Sequence, residues 1–173
     1  MYEDETAYKE LFLILFNSLT RFSTSIIQSR ETAEEIVSDV FISIWNNRSQ
    51  LNEIEDLQLY IFIAVKNNSL RKLKQQNRNT TISLDEMNIE LDSFYQNPED
   101  KFLSDESMQQ IETAINHLPH RAKLIFKLAK EDRMRYKDIA SLLNISVKTV
   151  DHQLSIALRK IAVAIGSAIR KKK

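Results

Sequence analysis

Apolar residues recur along this chain at helical spacing. Tyr8, Leu11, Phe12, Leu15, Leu19 and Phe22 fall three or four positions apart, so the pattern predicts a first helix with one buried stripe. Over residues 31–48 the same rule selects Ala33, Ile36, Val37, Val40, Phe41, Ile44 and Trp45 as a wide apolar face. Glu31, Glu34 and Glu35 crowd its start, where the positive end of a helix dipole favours carboxylates. Residues 46–55 are polar and predict a loop. Asp56 then caps a third helix over 57–74. That helix changes character halfway. It is apolar from Leu57 to Val65, then basic and amide-rich through Lys66, Asn67, Asn68, Arg71, Lys72 and Lys74. Tyr60 and Phe62 fit a core, with base stacking as their second reading.

Residues 77–107 break the pattern. They are polar and acidic, contain Pro98 and sustain no period, which predicts a linker. Helices resume at 108, where Ile111, Ala114, Ile115 and Leu118 form a stripe that Pro119 interrupts. Leu124, Ile125 and Leu128 continue it in the next helix. The most informative stretch is 136–161, YKDIASLLNISVKTVDHQLSIALRKI. Tyr136, Ile139, Ala140 and Leu143 make a short amphipathic helix. Asn144 stands where the chain must turn, and asparagine tolerates the left-handed conformation better than most residues. Ile145 plugs the turn, and Ser146 caps a second helix. The predicted buried stripe of that helix is Val147, Val150, Leu154, Ala157, Leu158 and Ile161. Two short helices, a tight turn and small Ala140 at the crossing make a helix-turn-helix. On the outer face of the second helix stand Lys148, Thr149, His152, Ser155, Ile156 and Arg159, opposed only by Asp151. Cations there neutralise phosphates, and the hydroxyls and imidazole bond phosphates or base edges, so this face is the predicted DNA reader.

Composition sharpens the picture. With Gly 1 and Pro 2, hairpin-rich folds are excluded and an all-α chain of two small helical domains is expected: 1–76 and 108–173, joined by a flexible segment. Cys 0 removes disulfides, a thiol nucleophile and a cysteine zinc site. The chain starts acidic, and no apolar run reads as long enough to span a bilayer, so a cytoplasmic protein without membrane insertion is expected. His117, His120 and His152 form no catalytic constellation, and neighbours such as Glu34 and Glu35 do not face each other on a helix. No enzyme activity, cofactor, metal or small-molecule substrate is expected. The net charge of zero hides an alternation: −7 over 1–65, +5 over 66–78, −8 over 79–112, +2 over 113–132 and +8 over 133–173. Two basic blocks set between acidic ones point to two nucleic-acid contacts and one surface for another partner. Glu35, Ser38, Asp39 and Ile42, opposite the core of the second helix, make an acidic patch with an apolar centre that suits a basic partner.

These stretches resemble a bacterial RNA polymerase sigma factor of the sigma-70 superfamily, extracytoplasmic-function group. AEEIVSDVFISIW (33–45) is similar to the AEDIVQEVFLKLW form of the family's second region. YIFIAVKN (60–67) resembles the YLY-x-x-x-RN stretch of the promoter-melting helix. LPHRAKLIFKLAKEDRMRYKDIASLLNISVKTVDHQLSIALRKI (118–161) resembles the fourth region. Ser38, Asp39, Asp138 and Asn144 depart from the usual Gln, Glu, Glu and Gly.

The resemblance implies that residues 1–76 hold core RNA polymerase through Glu34, Glu35, Ser38 and Asp39. It implies that Lys66, Asn67 and Arg71 bind and help melt the −10 element of promoter DNA. It further implies that Lys148, Thr149, His152, Ser155 and Arg159 read the −35 element, that the acidic linker threads the polymerase near the RNA path, and that an anti-sigma factor restrains the protein. The competing reading is a free-standing helix-turn-helix regulator. Such a protein has no need of an acidic patch beside a separate basic-amide helix end.

Overall fold

Burial of the apolar stripes draws the helices together. A computed structural model describes residues 2–76 and 106–171, with side chains over 5–76 and 111–164. The linker and the side chains of the basic C-terminal tail lie outside the described residues. The described elements are helices: α1 (Tyr2–Ile27), α2 (Arg30–Asn46), α3 (Leu57–Gln76), α4 (Glu106–Asn116), α5 (His120–Lys130), α6 (Tyr136–Leu143) and α7 (Val147–Lys171). One 3₁₀ stretch, Arg48–Glu53, occupies the predicted loop before α3. The chain divides into two units, one holding α1–α3 and the other α4–α7.

In the first unit α1 packs against both α2 and α3. Leu15, Leu19, Phe22 and Ile26 of α1 meet Ala33, Ile36, Val37, Val40, Phe41 and Ile44 of α2 and Ile61, Phe62 and Val65 of α3 in a dry core. Burying one such side chain stabilises a fold by about 1.5–3 kcal/mol. Phe22 and Phe62 stack tilted at 5.4 Å, and the Ser23 and Ser69 hydroxyls bond at 2.8 Å where both residues are fully buried. Helix starts are fixed by side chains. Ser29 accepts from the Thr32 amide at 3.3 Å, and Asp56 accepts from the Leu59 amide at 2.9 Å. The second cap was expected; Ser29, just before the Arg30 start of α2, was not.

One expectation needs correcting. By length and composition α1 could cross a bilayer, with mean hydropathy 1.2 over a window within 5–27. Half of that window is buried within the protein, and Thr20, Ser23 and Ser25 are buried in the same helix, as in a core helix that packs on two others.

In the second unit α7 packs against α4, α5 and α6. Leu118, Ala122, Ala157 and Ile161 form its inner cluster, flanked by Ala114, Ile115, Phe126 and Ile156. Pro119 separates α4 from α5, as its lack of an amide hydrogen requires, and becomes the residue capping α5. Leu124, Ile125, Leu128, Met134, Ile139, Ala140, Leu142, Leu143, Val150 and Leu154 are buried with them.

Candidate nucleic-acid interface

The turn between α6 and α7 is built as its residues predict. Asn144 adopts the left-handed conformation (φ 53°, ψ 48°), and the Ile145 amide donates to the Ala140 carbonyl at 2.9 Å. These bonds satisfy carbonyls that a helix end leaves open. Ser146 accepts from the Thr149 amide at 3.0 Å, and the Ser146 and Thr149 hydroxyls bond at 2.8 Å. At the start of α6 the nearly buried Asp138 carboxylate accepts from Arg135 Nε at 2.5 Å. The orientation of α7 is thus fixed at its first turn as well as by its core stripe.

That orientation places Lys148, His152, Ser155 and Arg159 on the exposed side of α7, opposite buried Val150, Leu154, Ala157 and Ile161. Thr149 is half-buried and already engaged by Ser146. Four residues of this motif depart from expectation. Val147 and Leu158, expected in the stripe, are each 48% exposed, and Tyr136 is exposed too. The arc that Val147 and Leu158 shared with the stripe of α7 is wider than the surface α4, α5 and α6 offer. Ile156, expected outside with the reader set, is half-buried against the Leu118–Ala122–Ala157–Ile161 cluster. Those four residues set one cation at each end with an imidazole and a hydroxyl between, and Asp151 and Lys160 are exposed on the same helix.

On α3 the buried residues are Ile61, Phe62, Val65 and Ser69. Phe62 is therefore core and not a stacking surface. At 100° per residue, Tyr60, Asn67, Arg71 and Lys74 form the opposite, exposed stripe. Tyr60 is 46% exposed. Asn68 donates to the Ala64 carbonyl at 2.8 Å and accepts from the Arg71 guanidinium. Lys66 stands apart, half-buried on a flank of α3, where desolvation holds its ammonium below the ordinary lysine range.

On α2 the four expected partner-binding residues differ in their bonding and exposure. Glu34 pairs with Arg30 at 2.8 Å, and Ser38 donates its hydroxyl to the Glu34 carbonyl at 2.8 Å. Glu35 and Asp39 are exposed beside Ile42, which is 58% exposed. Glu35, Ile36 and Asp39 also line a groove of about 270 Å³, shared with Asn68, Arg71, Lys72 and Gln75 of α3. This groove escaped the sequence, because which flank of α2 meets α3 depends on packing and not on either helix's own period.

Residues 108–161 match the family model described as Sigma-70, region 4. No curated protein matches the chain. Among solved structures, the chain is similar to the sigma factor RpoE from Bartonella quintana, co-crystallised with the anti-sigma factor NepR. That match has 18% identity and a TM-score of 0.60 and covers 92% of this chain and 97% of that one. The first finding makes residues 108–161 similar to region 4 of that family, and the second is a likeness of fold.

Proposed function

We propose that this chain works as a promoter-specificity subunit of RNA polymerase, in which residues 1–76 bind core polymerase and the −10 element and residues 108–173 read the −35 element, with 77–107 linking them. The observation that carries the reading is the exposed side of α7. Lys148, His152, Ser155 and Arg159 stand free of the core on a helix held by the Asn144 turn and the Ser146 cap, inside the stretch that matches region 4. A major groove admits such a helix, and its cations and hydroxyl suit phosphates and base edges. In the other unit, Tyr60, Asn67 and Arg71 offer a ring, an amide and a guanidinium along one exposed stripe. A single unpaired strand is held by such groups. Lys66 joins this contact from its flank. Glu35 and Asp39, with Glu34 and Ser38 behind them, face a cationic surface of polymerase. No step is chemical, because polymerase performs the synthesis. A cytoplasmic location goes with this role.

An anti-sigma factor is the further partner of this reading, supported by the complex in which the similar RpoE was solved. The deciding experiment is run-off transcription by purified core polymerase on fragments upstream of neighbouring genes, with and without this protein. Transcripts that need the protein and start at defined promoters are the expected result. Silence, together with a tight shift of duplex DNA by the protein alone, would replace this reading with a free-standing regulator.

A further inference from the structure

We propose that the far end of α7 docks on an anionic lipid bilayer and lies in the plane of its headgroups. The match to region 4 stops at residue 161, whereas α7 continues to Lys171. Residues 161–169 read IAVAIGSAI, a run with no charge and with Ser167 as its one polar side chain. A helix that is apolar on every side needs cover on every side. Its own unit supplies cover on one. Ile161 is buried with Leu118, Ala122 and Ala157, while the next two residues, Ala162 and Val163, are exposed, Val163 by 68%. Leu158, one turn before Ala162, is exposed as well.

Charge decides what covers this face. Arg159 and Lys160 precede the apolar run, and Arg170, Lys171, Lys172 and Lys173 follow it. No acidic side chain follows Asp151. A second copy paired along this helix, parallel or antiparallel, would set cations against cations with no acid between them, which opposes self-association. Duplex DNA would satisfy the cations and leave Leu158 and Val163 in water. An anionic bilayer takes both. Its headgroups attract the cations at each end, and the acyl boundary receives the apolar side chains between them. The run of nine residues makes about 14 Å of helix. That is about half of what a span requires, so the helix lies along the surface and does not cross it. Lipid binding of this kind is independent of promoter reading.

The test is flotation of the full chain with vesicles of phosphatidylglycerol and phosphatidylcholine in equal parts, and with vesicles of phosphatidylcholine alone. Binding to the first kind that weakens with salt, and little binding to the second, is the expected result. Lys171→Gln, Lys172→Gln and Lys173→Gln together should weaken it by about ten-fold or more. Lys9→Gln, Lys130→Gln and Lys137→Gln remove the same charge from exposed positions elsewhere and should cost less. Leu158→Gln with Val163→Gln keeps every charge and should also weaken binding by about ten-fold. Thermal unfolding checks that this pair keeps the fold, and Val163→Gln alone is the milder form if it does not. No binding to anionic vesicles, equal binding to both kinds, or a loss from the control as large as from the tail variant overturns the proposal. Full binding by the Leu158 and Val163 variant overturns it too, since cations alone would then account for the attraction. Loss of random-sequence duplex binding by the tail variant, with vesicle binding intact, assigns those cations to nucleic acid. A vesicle-free dimer that the Leu158 and Val163 variant dissolves assigns the face to a second copy. Either result replaces the bilayer.

Discussion

Lys66 sits where a fold would not place an ammonium for stability alone. Half-buried on α3, it carries a folded-state pKa below the ordinary lysine value because desolvation disfavours its charge. The folded state therefore binds this proton less tightly than the unfolded chain does. At pH 7 both states are charged and the penalty is full. It fades as pH rises through the folded pKa toward the unfolded value of about 10.4. Lys66→Met keeps the stem and drops the charge. It should raise Tm at pH 7, with the gain shrinking as pH rises through the folded pKa, and should weaken single-strand binding. A lower Tm at pH 7 would mean that the ammonium serves the fold. Asn144 makes the opposite kind of test. Its φ of 53° costs a residue with a Cβ about 1–2 kcal/mol, less for asparagine than for alanine. Asn144→Ala should lower the stability of the second unit by about 1 kcal/mol while Asn144→Gly leaves it level or higher, read by calorimetry of the full chain. The left-handed turn was legible from Asn144 and Ser146 alone, since both act on their own backbone. The depth of Lys66 was not legible, because a lysine on a basic helix end looks solvated until the helices of its unit pack together.

At the scale of elements, α1 and α3 are joined by a bond that no periodicity reveals. Ser23 and Ser69 are fully buried and share one hydrogen bond, while Ser69 also donates to the Val65 carbonyl at 2.8 Å. The two hydroxyls are therefore not equivalent. Ser69→Ala strands the Ser23 hydroxyl in a dry core and should cost about 1–3 kcal/mol. Ser23→Ala leaves Ser69 its carbonyl and should cost less. The double variant removes the stranded group and should recover part of the loss of Ser69→Ala, an asymmetry that a urea double-mutant cycle measures. If the costs simply add, the buried bond is not what couples α1 to α3. The helices themselves were legible because apolar residues at three- and four-residue spacing can be buried together on few surfaces. How each helix is rotated was less so. Val147 and Leu158 satisfied the period of α7 yet face outward, and Ile156, off the period, is half-covered by the cluster around Leu118. Glu34 and Glu35, neighbours in sequence, fall to an Arg30 pair and to the groove respectively.

Across the whole chain, charge alternates in blocks, with +5 over 66–78 and +8 over 133–173 against −7 and −8 over 1–65 and 79–112. One nucleic-acid site would not need two basic blocks in separate units. If α7 reads duplex and α3 holds an opened strand, their losses must appear at different steps. Arg159→Ala removes an exposed cation from the duplex reader. It should weaken the first, closed polymerase–promoter complex and lower the slope of log affinity against log salt by about 1, the signature of one lost phosphate contact. Asn67→Ala with Arg71→Ala leaves α7 untouched. It should bind the closed promoter nearly as well as the parent and fail to keep the strands apart. Permanganate reactivity of unpaired thymines would then fall while the duplex footprint over −35 stays. A template already mismatched around −10 supplies the opening energy from outside, so it should rescue transcription by the Asn67 and Arg71 variant and leave the Arg159 defect in place. Rescue of both, or of neither, would mean that the two basic surfaces serve one step, and the division of labour between the units would have to be abandoned.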